Sequence, residues 1–170
     1  MMKTLSDSLP LLSFNFVTFI NDFLQLTKFR LAISVVFSSV AGYLLAVDHI
    51  DSSILMGLLL GGFAMVGASN AFNQWIEKEK DSLMDRTKNR PLPSGRMNNL
   101  TALVIASLLT LVGIFVLNNI NFKTALFGAL SIFIYTCIYT PLKSVTPLSV
   151  FIGAFPGAIP FMLGWVAAKG

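Results

Sequence analysis

The stretch NQWIEKEKDSLMDRTKNRPLPSGRM, residues 73–97, lies between two long apolar segments and decides how the rest of the sequence is interpreted. The segment before it carries no charge over residues 54–76, and ten charged residues then follow within residues 77–96. A transmembrane helix needs about twenty predominantly apolar residues. The pattern therefore predicts a transmembrane helix that ends at a membrane surface, in a charged loop.

The composition also indicates a membrane protein. Of 170 residues, 55% are hydrophobic and 12% are charged, and the mean hydropathy is +0.75. The pI of about 9.4 would suggest nucleic-acid binding in a soluble chain. Here most lysines and arginines lie in loops beside apolar segments, where orientation in the membrane accounts for them. We therefore expect the lipid bilayer as a partner and no nucleic acid.

Five apolar segments predict an all-α membrane protein with about five transmembrane helices in a single domain, residues 1–170. The segments are residues 31–47, 54–76, 100–117, 124–139 and 148–168. The first and fourth are short, so their helices should extend into flanking residues. Residues 1–27 form an N-terminal tail in which apolar side chains recur at helical spacing from Leu12 to Leu24, which predicts an interfacial amphipathic helix. The transmembrane bundle then occupies residues 28–170, with a charged loop at residues 77–98.

The distribution of lysine and arginine predicts the orientation of the chain. Residues 1–30, the loop after the second segment and the loop after the fourth carry ten of these residues, whereas the opposite side carries only Lys123 and Lys169. Positively charged loops stay in the cytoplasm. We therefore expect a multi-pass protein of the cell (inner) membrane whose N-terminus and charged loop are cytoplasmic.

Small residues predict where helices pack closely. Gly57 and Gly61 lie one turn apart in the second segment, and Gly153 and Gly157 do so in the fifth. Such spacing lets helix backbones approach one another in membranes.

The charged stretch divides into faces if the second helix continues beyond Trp75. At 100° per residue, Asn73, Glu77 and Asp81 share one face with Asn70, and Glu79 points almost the opposite way. Two carboxylates and an amide offer hard oxygen ligands that suit Mg²⁺. The alternative is a solvated helix end with ordinary surface ion pairs, which are common at membrane surfaces.

A basic loop follows this face. Arg86, Lys88 and Arg90 precede the sequence PLPSGR, whose prolines prevent one continuous helix. The planar guanidinium group of arginine suits phosphate oxygens. An acidic face followed by a basic loop fits a metal-bound diphosphate, although positive-inside anchoring would account for the same cations.

The stretch at residues 73–97 resembles the first acidic motif of the UbiA-type intramembrane prenyltransferases, and RTKNRPLPSGRM within it is similar to the branch that farnesylates heme. The segment YTPLKSVTPLSVFIGAFPGAIPFMLGW, residues 139–165, resembles a second signature of that branch. The resemblance extends over nearly the whole chain from about Leu26. It implies a bundle of about nine helices in the complete enzyme. It also implies farnesyl diphosphate as donor, a vinyl group of heme B as acceptor and Mg²⁺ as cofactor.

The resemblance also implies roles for particular residues. Asn73, Glu77 and Asp81 match the metal-binding, catalytic motif, with Glu77 in place of the commoner aspartate. The residues that match basic positions near the diphosphate are Arg86, Arg90, Lys143 and Lys28. The implied reaction is departure of diphosphate and attack of the acceptor on an allylic cation, shielded from water by apolar helices.

The chain nevertheless departs from the family in one important respect. Members carry a second acidic motif in their C-terminal half, and residues 98–170 contain no aspartate or glutamate. We therefore expect the N-terminal half of an enzyme, which would need a C-terminal half or a second copy to complete the site. Two alternatives remain. One is a prenyltransferase for an aromatic or quinone precursor, and the other is an inactive or partner-dependent membrane fragment.

Overall fold

The computed structural model describes residues 16–170, and within that range it contains helices and no strand. The helices are α1 (Phe16–Leu26), α2 (Phe29–Leu44), α3 (Ser52–Ser82), α4 (Asn99–Asn118), α5 (Phe122–Leu142) and α6 (Ser149–Lys169). The predicted all-α class is confirmed. The first residues of the predicted interfacial helix, and Lys3, lie outside the described residues, and the placement of α1 in an interface stays a prediction.

Helix lengths agree with the predicted number of membrane spans. Helices α3 to α6 are long and apolar enough to cross a membrane, and α1 and α2 together make a fifth candidate with a 49° bend. Helix α2 has only 16 residues, about 24 Å, which is shorter than the roughly 30 Å hydrocarbon core. Helix α5 extends beyond the fourth predicted segment at both ends, as expected from the shortness of that apolar segment.

Helix α3 is the longest element and carries the charged face. Its 31 residues span about 46 Å, so it extends beyond the thickness of a hydrocarbon core. Its N-terminal cap is Asp51, whose side chain accepts a hydrogen bond from the backbone N–H of Ser53 at 2.8 Å. It continues six residues beyond the predicted apolar segment, to Ser82. Glu77 and Asp81 are therefore on a regular helix rather than in a loop.

Helix α5 changes its winding before it reaches the charged end of α3. Its turns are α-helical over Phe122–Phe133, π-helical over Ile134–Tyr139, and α-helical again over Thr140–Leu142. The hydroxyl of Thr140 donates to the carbonyl oxygen of Tyr135 at 2.8 Å. Single π-helical turns are rare and occur frequently at functional sites. The sequence analysis did not predict this turn.

Two apolar clusters hold the bundle together. One lies among α2, α3, α4, α5 and α6 and includes Tyr43, Leu58 and Leu117. The second joins α1, α3 and α4 to the loop after α3, and buries Leu26 and Leu92 completely. Because Leu92 is a core residue, the basic loop is packed against the bundle. This packing fixes the position of the arginine that precedes it by two residues.

Candidate active site

The end of α3 presents one buried polar face. Asn73, Glu77 and Asp81 are 1%, 9% and 2% exposed, whereas Glu79 is exposed. Burial of a carboxylate is unfavourable unless it is paired or hydrogen-bonded. The partners of Glu77 and Asp81 therefore determine what this face can do.

Glu77 is held by groups from α5 and from its own helix. Its Oε2 accepts hydrogen bonds from Lys143 Nζ at 2.6 Å and from Asn73 Nδ2 at 3.1 Å. Asn73 Nδ2 also donates to Thr140 Oγ1 at 3.2 Å. The ammonium of Lys143 lies 5.7 Å from the ring centroid of Tyr139, within the range of a cation–π interaction. The π-helical turn of α5 thus ends where it supplies Thr140 and Lys143 to α3.

Asp81 is held by the basic loop. Arg90 Nη1 donates to Asp81 Oδ2 at 2.6 Å, and the Asp81 side chain is only 3% exposed. The hydroxyl of Thr87 donates to the backbone carbonyl oxygen of Asp81 at 2.8 Å. The loop therefore folds back over the end of α3 and directs Arg90 inward. In contrast, Arg86 is exposed and forms no ion pair with the other predicted site residues, so its role stays a prediction.

Lys28 joins this cluster from the short connection between α1 and α2. This connection, Thr27 and Lys28, is called the elbow below. Burial lowers the pKa of Lys28 from 10.5 to about 8, with further lowering by the positive charges of Arg90 and Lys143. The carboxylates of Asp81 and Glu77 act in the opposite direction but do not restore the ordinary value. Three cations and two carboxylates thus lie close enough to influence one another. Six of the seven predicted site residues meet at one end of the bundle.

The oxygen atoms of the buried face fit part of a magnesium site. Among residues 16–170, no hydrogen-bond donor is assigned to Asn73 Oδ1, Glu77 Oε1 or Asp81 Oδ1. In proteins Mg²⁺ is commonly held by one or two carboxylates together with water and substrate phosphates. No group of three or more His, Cys, Asp or Glu side chains that could hold a metal occurs in that part of the chain. The donor set therefore fits a metal shared with a phosphate ligand rather than a closed protein cage.

Two adjoining cavities lead from this end into the bundle. The first, of about 100 Å³, is lined by Asn70 and Tyr135 and continues along Val35 and Val66. The second, of about 40 Å³, shares Val35 and Val66 and reaches Leu163. Their combined space is smaller than the roughly 300–1,000 Å³ of typical ligand pockets. These two cavities alone are therefore too small to hold a long apolar ligand.

Several side chains that build the site were not predicted from the sequence. Thr140 binds Asn73 across 67 positions of sequence, and Gln74 donates to backbone carbonyls of α1. Asn70, assigned to the metal-binding face by spacing, instead donates to the carbonyl oxygen of Thr27 at 3.0 Å. Arg96 bonds Asp22 at 2.9 Å and ties the loop to α1. The signal available in the sequence was the presence of amide side chains near the end of a membrane helix. Their hydrogen-bond partners depend on the fold.

Comparison with known proteins gives consistent matches. The UbiA prenyltransferase family profile matches residues 35–170. The chain is 66% identical over 152 residues to a protoheme IX farnesyltransferase of Flavobacterium johnsoniae, covering 88% of this chain and 51% of that protein. It is 38% identical over 147 residues to the mitochondrial protoheme IX farnesyltransferase of Homo sapiens, covering 86% and 33%. The chain thus spans about half the length of the curated relatives it matches, or less.

Solved structures share the fold. A structure of digeranylgeranylglyceryl phosphate synthase superposes with a TM-score of 0.82 at 22% identity, over 89% of this chain and 54% of that one. A UbiA homologue from Archaeoglobus fulgidus, bound to DMAPP and Mg²⁺, superposes with a TM-score of 0.77 at 17% identity, over 88% and 55%. At these identities the superpositions establish the helical arrangement alone.

Proposed function

Because this chain belongs to the UbiA prenyltransferase family, we propose that it is the N-terminal part of a Mg²⁺-dependent farnesyltransferase that acts on heme B. The donor is farnesyl diphosphate, the acceptor is a vinyl group, and the product is heme O. The observation that carries the proposal is the cluster of Lys28, Arg90 and Lys143 with Glu77 and Asp81 at one end of an apolar bundle.

The charge balance of the cluster supports binding of a metal-bound diphosphate. Each buried carboxylate is paired with one cation, Glu77 with Lys143 and Asp81 with Arg90. A metal-bound diphosphate carries both signs of charge. Its phosphate oxygens would therefore meet the cation of each pair, and its metal would meet the carboxylate. Lys143, Arg90 and Lys28 would bind phosphate oxygens.

The face of α3 supplies the metal ligands in this proposal. Asn73, Glu77 and Asp81 would hold Mg²⁺ through the oxygen atoms that have no assigned donor. When bound, the metal neutralises negative charge on the diphosphate. Thr140 and Lys143 orient Asn73 and Glu77 through hydrogen bonds. Such partners tune metal sites and fix the orientation of the ligands.

Prenyl transfer requires cleavage of one bond and formation of another. The C1–O bond of farnesyl diphosphate breaks, and its electron pair leaves with the diphosphate. The cations of the cluster stabilise the charge that develops there. The π electrons of the vinyl group form the new C–C bond to C1. The neighbouring vinyl carbon is then left positive, and it takes up water with loss of a proton, which leaves a hydroxyl group on the product.

The acceptor is proposed from the relatives. The Flavobacterium johnsoniae and human proteins are both named protoheme IX farnesyltransferase. The proposed location is the cell (inner) membrane, with the charged cluster on the cytoplasmic side. Because the chain spans about half of such proteins, we propose that activity needs a C-terminal half, or a second copy, to supply the remaining site.

The test uses the chain alone and a chimera in which it replaces the matching half of the Flavobacterium johnsoniae protein. Membranes carrying each protein are incubated with farnesyl diphosphate and either heme B or a hydroxybenzoate, with and without Mg²⁺. We expect Mg²⁺-dependent farnesylation of heme B by the chimera only. Transfer to hydroxybenzoate but not heme would favour the aromatic acceptor. Activity of the chain alone would reject the need for another half, and no activity in either protein would reject the proposed function.

A further inference from the structure

The elbow between α1 and α2 has an unusual backbone. Lys28 has φ of 49° and is, within residues 16–170, the only residue other than glycine with positive φ. This left-handed conformation is strained for a residue with a side chain, and it persists only where surrounding contacts impose it. Something must therefore hold the elbow in place.

Two amides of α3 hold it. Asn70 Nδ2 donates to the carbonyl oxygen of Thr27 at 3.0 Å. Gln74 Nε2 donates to the carbonyl oxygens of Gln25 at 3.0 Å and Leu26 at 2.9 Å. Three successive carbonyls at the end of α1 are thus bound by two buried side chains one turn apart. They replace hydrogen bonds that an uninterrupted helix would have made.

The orientation of Gln74 indicates that its donor is the important group. Its Oε1 is buried and, among the described residues, is the only buried side-chain oxygen or nitrogen without a hydrogen-bond partner. Leaving a buried acceptor unsatisfied is unfavourable. An apolar side chain of similar size would avoid this penalty but would lose the two bonds that the amide nitrogen donates.

The elbow determines where Lys28 lies. Within the described residues the ammonium of Lys28 has no ion pair, so its position follows from the backbone that carries it. Asn70, one turn before Asn73 and Gln74 on α3, binds the carbonyl oxygen of the residue that precedes Lys28. The charges that act on the ammonium are those of Glu77 and Asp81 on α3, Arg90 in the loop, and Lys143 after α5. Asn70 and Gln74 are on the same helix as Glu77 and Asp81. Asn70 and Gln74 together, called the clamp below, therefore set the position of Lys28 relative to the carboxylates.

We propose that Asn70 and Gln74 are positioning residues that hold the elbow so that Lys28 reaches the diphosphate site. The predicted effect of the two amides on diphosphate affinity rests on the proposed function. The geometric part, the placement of Lys28 by the two amides, is independent of catalysis. The alternative is that the amides only stabilise the fold.

The test uses Asn70→Leu and Gln74→Met, which keep side-chain volume but remove the donors. The control is Asn121→Leu, which removes an amide-to-carbonyl bond to Val166 O, together with the N-terminal cap of α5, at the opposite end of the bundle. The first measurement is acylation of Lys28 as a function of pH, read by mass spectrometry on the purified chain. We expect both clamp variants to shift the midpoint upward, because Lys28 leaves its partly buried position, and the control to leave it unchanged.

The second measurement is the affinity of the chain and of the chimera for farnesyl diphosphate. We expect each clamp variant to weaken binding by about tenfold, the equivalent of one hydrogen bond. In a Lys28→Met background, Gln74→Met should weaken it no further. Unchanged Lys28 reactivity in both clamp variants, or an equal shift in Asn121→Leu, would overturn the inference. Shifted reactivity without diphosphate binding by any protein would overturn the proposed function and leave the clamp intact.

Discussion

Glu77 and Glu79 are two positions apart on α3, and their surroundings differ in ways that matter for function. Glu77 is buried against Lys143 and Asn73, whereas Glu79 is exposed. An exposed carboxylate at a helix end contributes little to stability. A buried one stays charged only if its partners offset the loss of hydration. The buried position therefore carries a constraint that the exposed one does not.

This contrast predicts the effect of neutral substitutions in the chimera. Glu77→Gln and Asp81→Asn should each lower kcat/KM by at least about 100-fold, because each removes charge where the metal-bound diphosphate is proposed to bind. Glu79→Gln should change it less than about twofold. Farnesyl transfer to heme B measures the effect, and protein abundance in membranes controls for folding. Equal losses in all three variants would contradict the assignment of one functional face.

Lys28 predicts a pH dependence. Its pKa of about 8 means that the ammonium loses its proton as the pH rises through that value, and only the protonated form attracts phosphate. In the free enzyme, kcat/KM for farnesyl diphosphate should therefore fall above about pH 8. Lys28→Arg should remain active to higher pH, because a guanidinium stays charged. Identical pH profiles for the two proteins would show that Lys28 does not contribute its charge.

Sequence periodicity was sufficient to group Asn73, Glu77 and Asp81, because α3 continues as a regular helix through all of them. It could not identify their partners. Arg90 reaches Asp81 only because the loop folds back and buries Leu92. Arg86, four residues away in the same loop, remains exposed. Local composition does not distinguish two arginines whose directions depend on tertiary packing.

At the scale of elements, the backbones of α2 and α6 approach each other closely at two glycines. A Cβ placed on Gly164 would overlap the carbonyl oxygen of Ser39 and lie 2.6 Å from the backbone nitrogen of Tyr43. A Cβ on Gly42 would likewise overlap the carbonyl oxygen of Phe161. Backbone atoms cannot move aside as a flexible side chain can, so these two glycines allow the helices to cross closely.

Gly164→Ala should therefore destabilise the bundle by about 1–3 kcal/mol, the range found for overpacked interiors. Gly157→Ala is the matched control on the same helix, since no atom lies within 4 Å of its Cβ position. There the better helix propensity of alanine should leave stability equal or higher. Thermal unfolding in detergent, followed by tryptophan fluorescence, measures both. An unchanged melting temperature for Gly164→Ala would contradict the close crossing.

These glycines show what spacing alone can and cannot predict. Gly61 does face α4 side chains, Gly57 faces Ile120 just after α4, and Gly153 faces Tyr139, as close packing requires. Gly157 faces open space, and the pair that brings two backbones together, Gly42 and Gly164, does not follow a one-turn repeat. Glycine spacing shows where contact is possible, but the relative rotation of the helices decides which glycines are used. The π-helical turn in α5 similarly has no local sequence signature.

At the scale of the whole molecule, charge and function favour the same side of the membrane. The cluster of Lys28, Arg90 and Lys143 lies at the end of the bundle that carries most of the basic residues. The short loop between α2 and α3 lies at the other end and carries Asp48, His49 and Asp51. A water-soluble diphosphate donor would approach the first end. The positive-inside rule predicts that this end faces the cytoplasm.

This orientation predicts an asymmetric pattern of chemical labelling. In a Cys137→Ser background, His49→Cys should react with a membrane-impermeant maleimide in intact spheroplasts, because its loop faces outward. Asp85→Cys, at a position whose side chain is 97% exposed, should react only after lysis, because its loop faces the cytoplasm. Labelling of both in lysed membranes shows that each thiol is accessible. The reverse pattern in intact spheroplasts would place the cluster outside the cytoplasm. Reaction of both cysteines in intact spheroplasts would contradict an odd number of membrane crossings between the two loops.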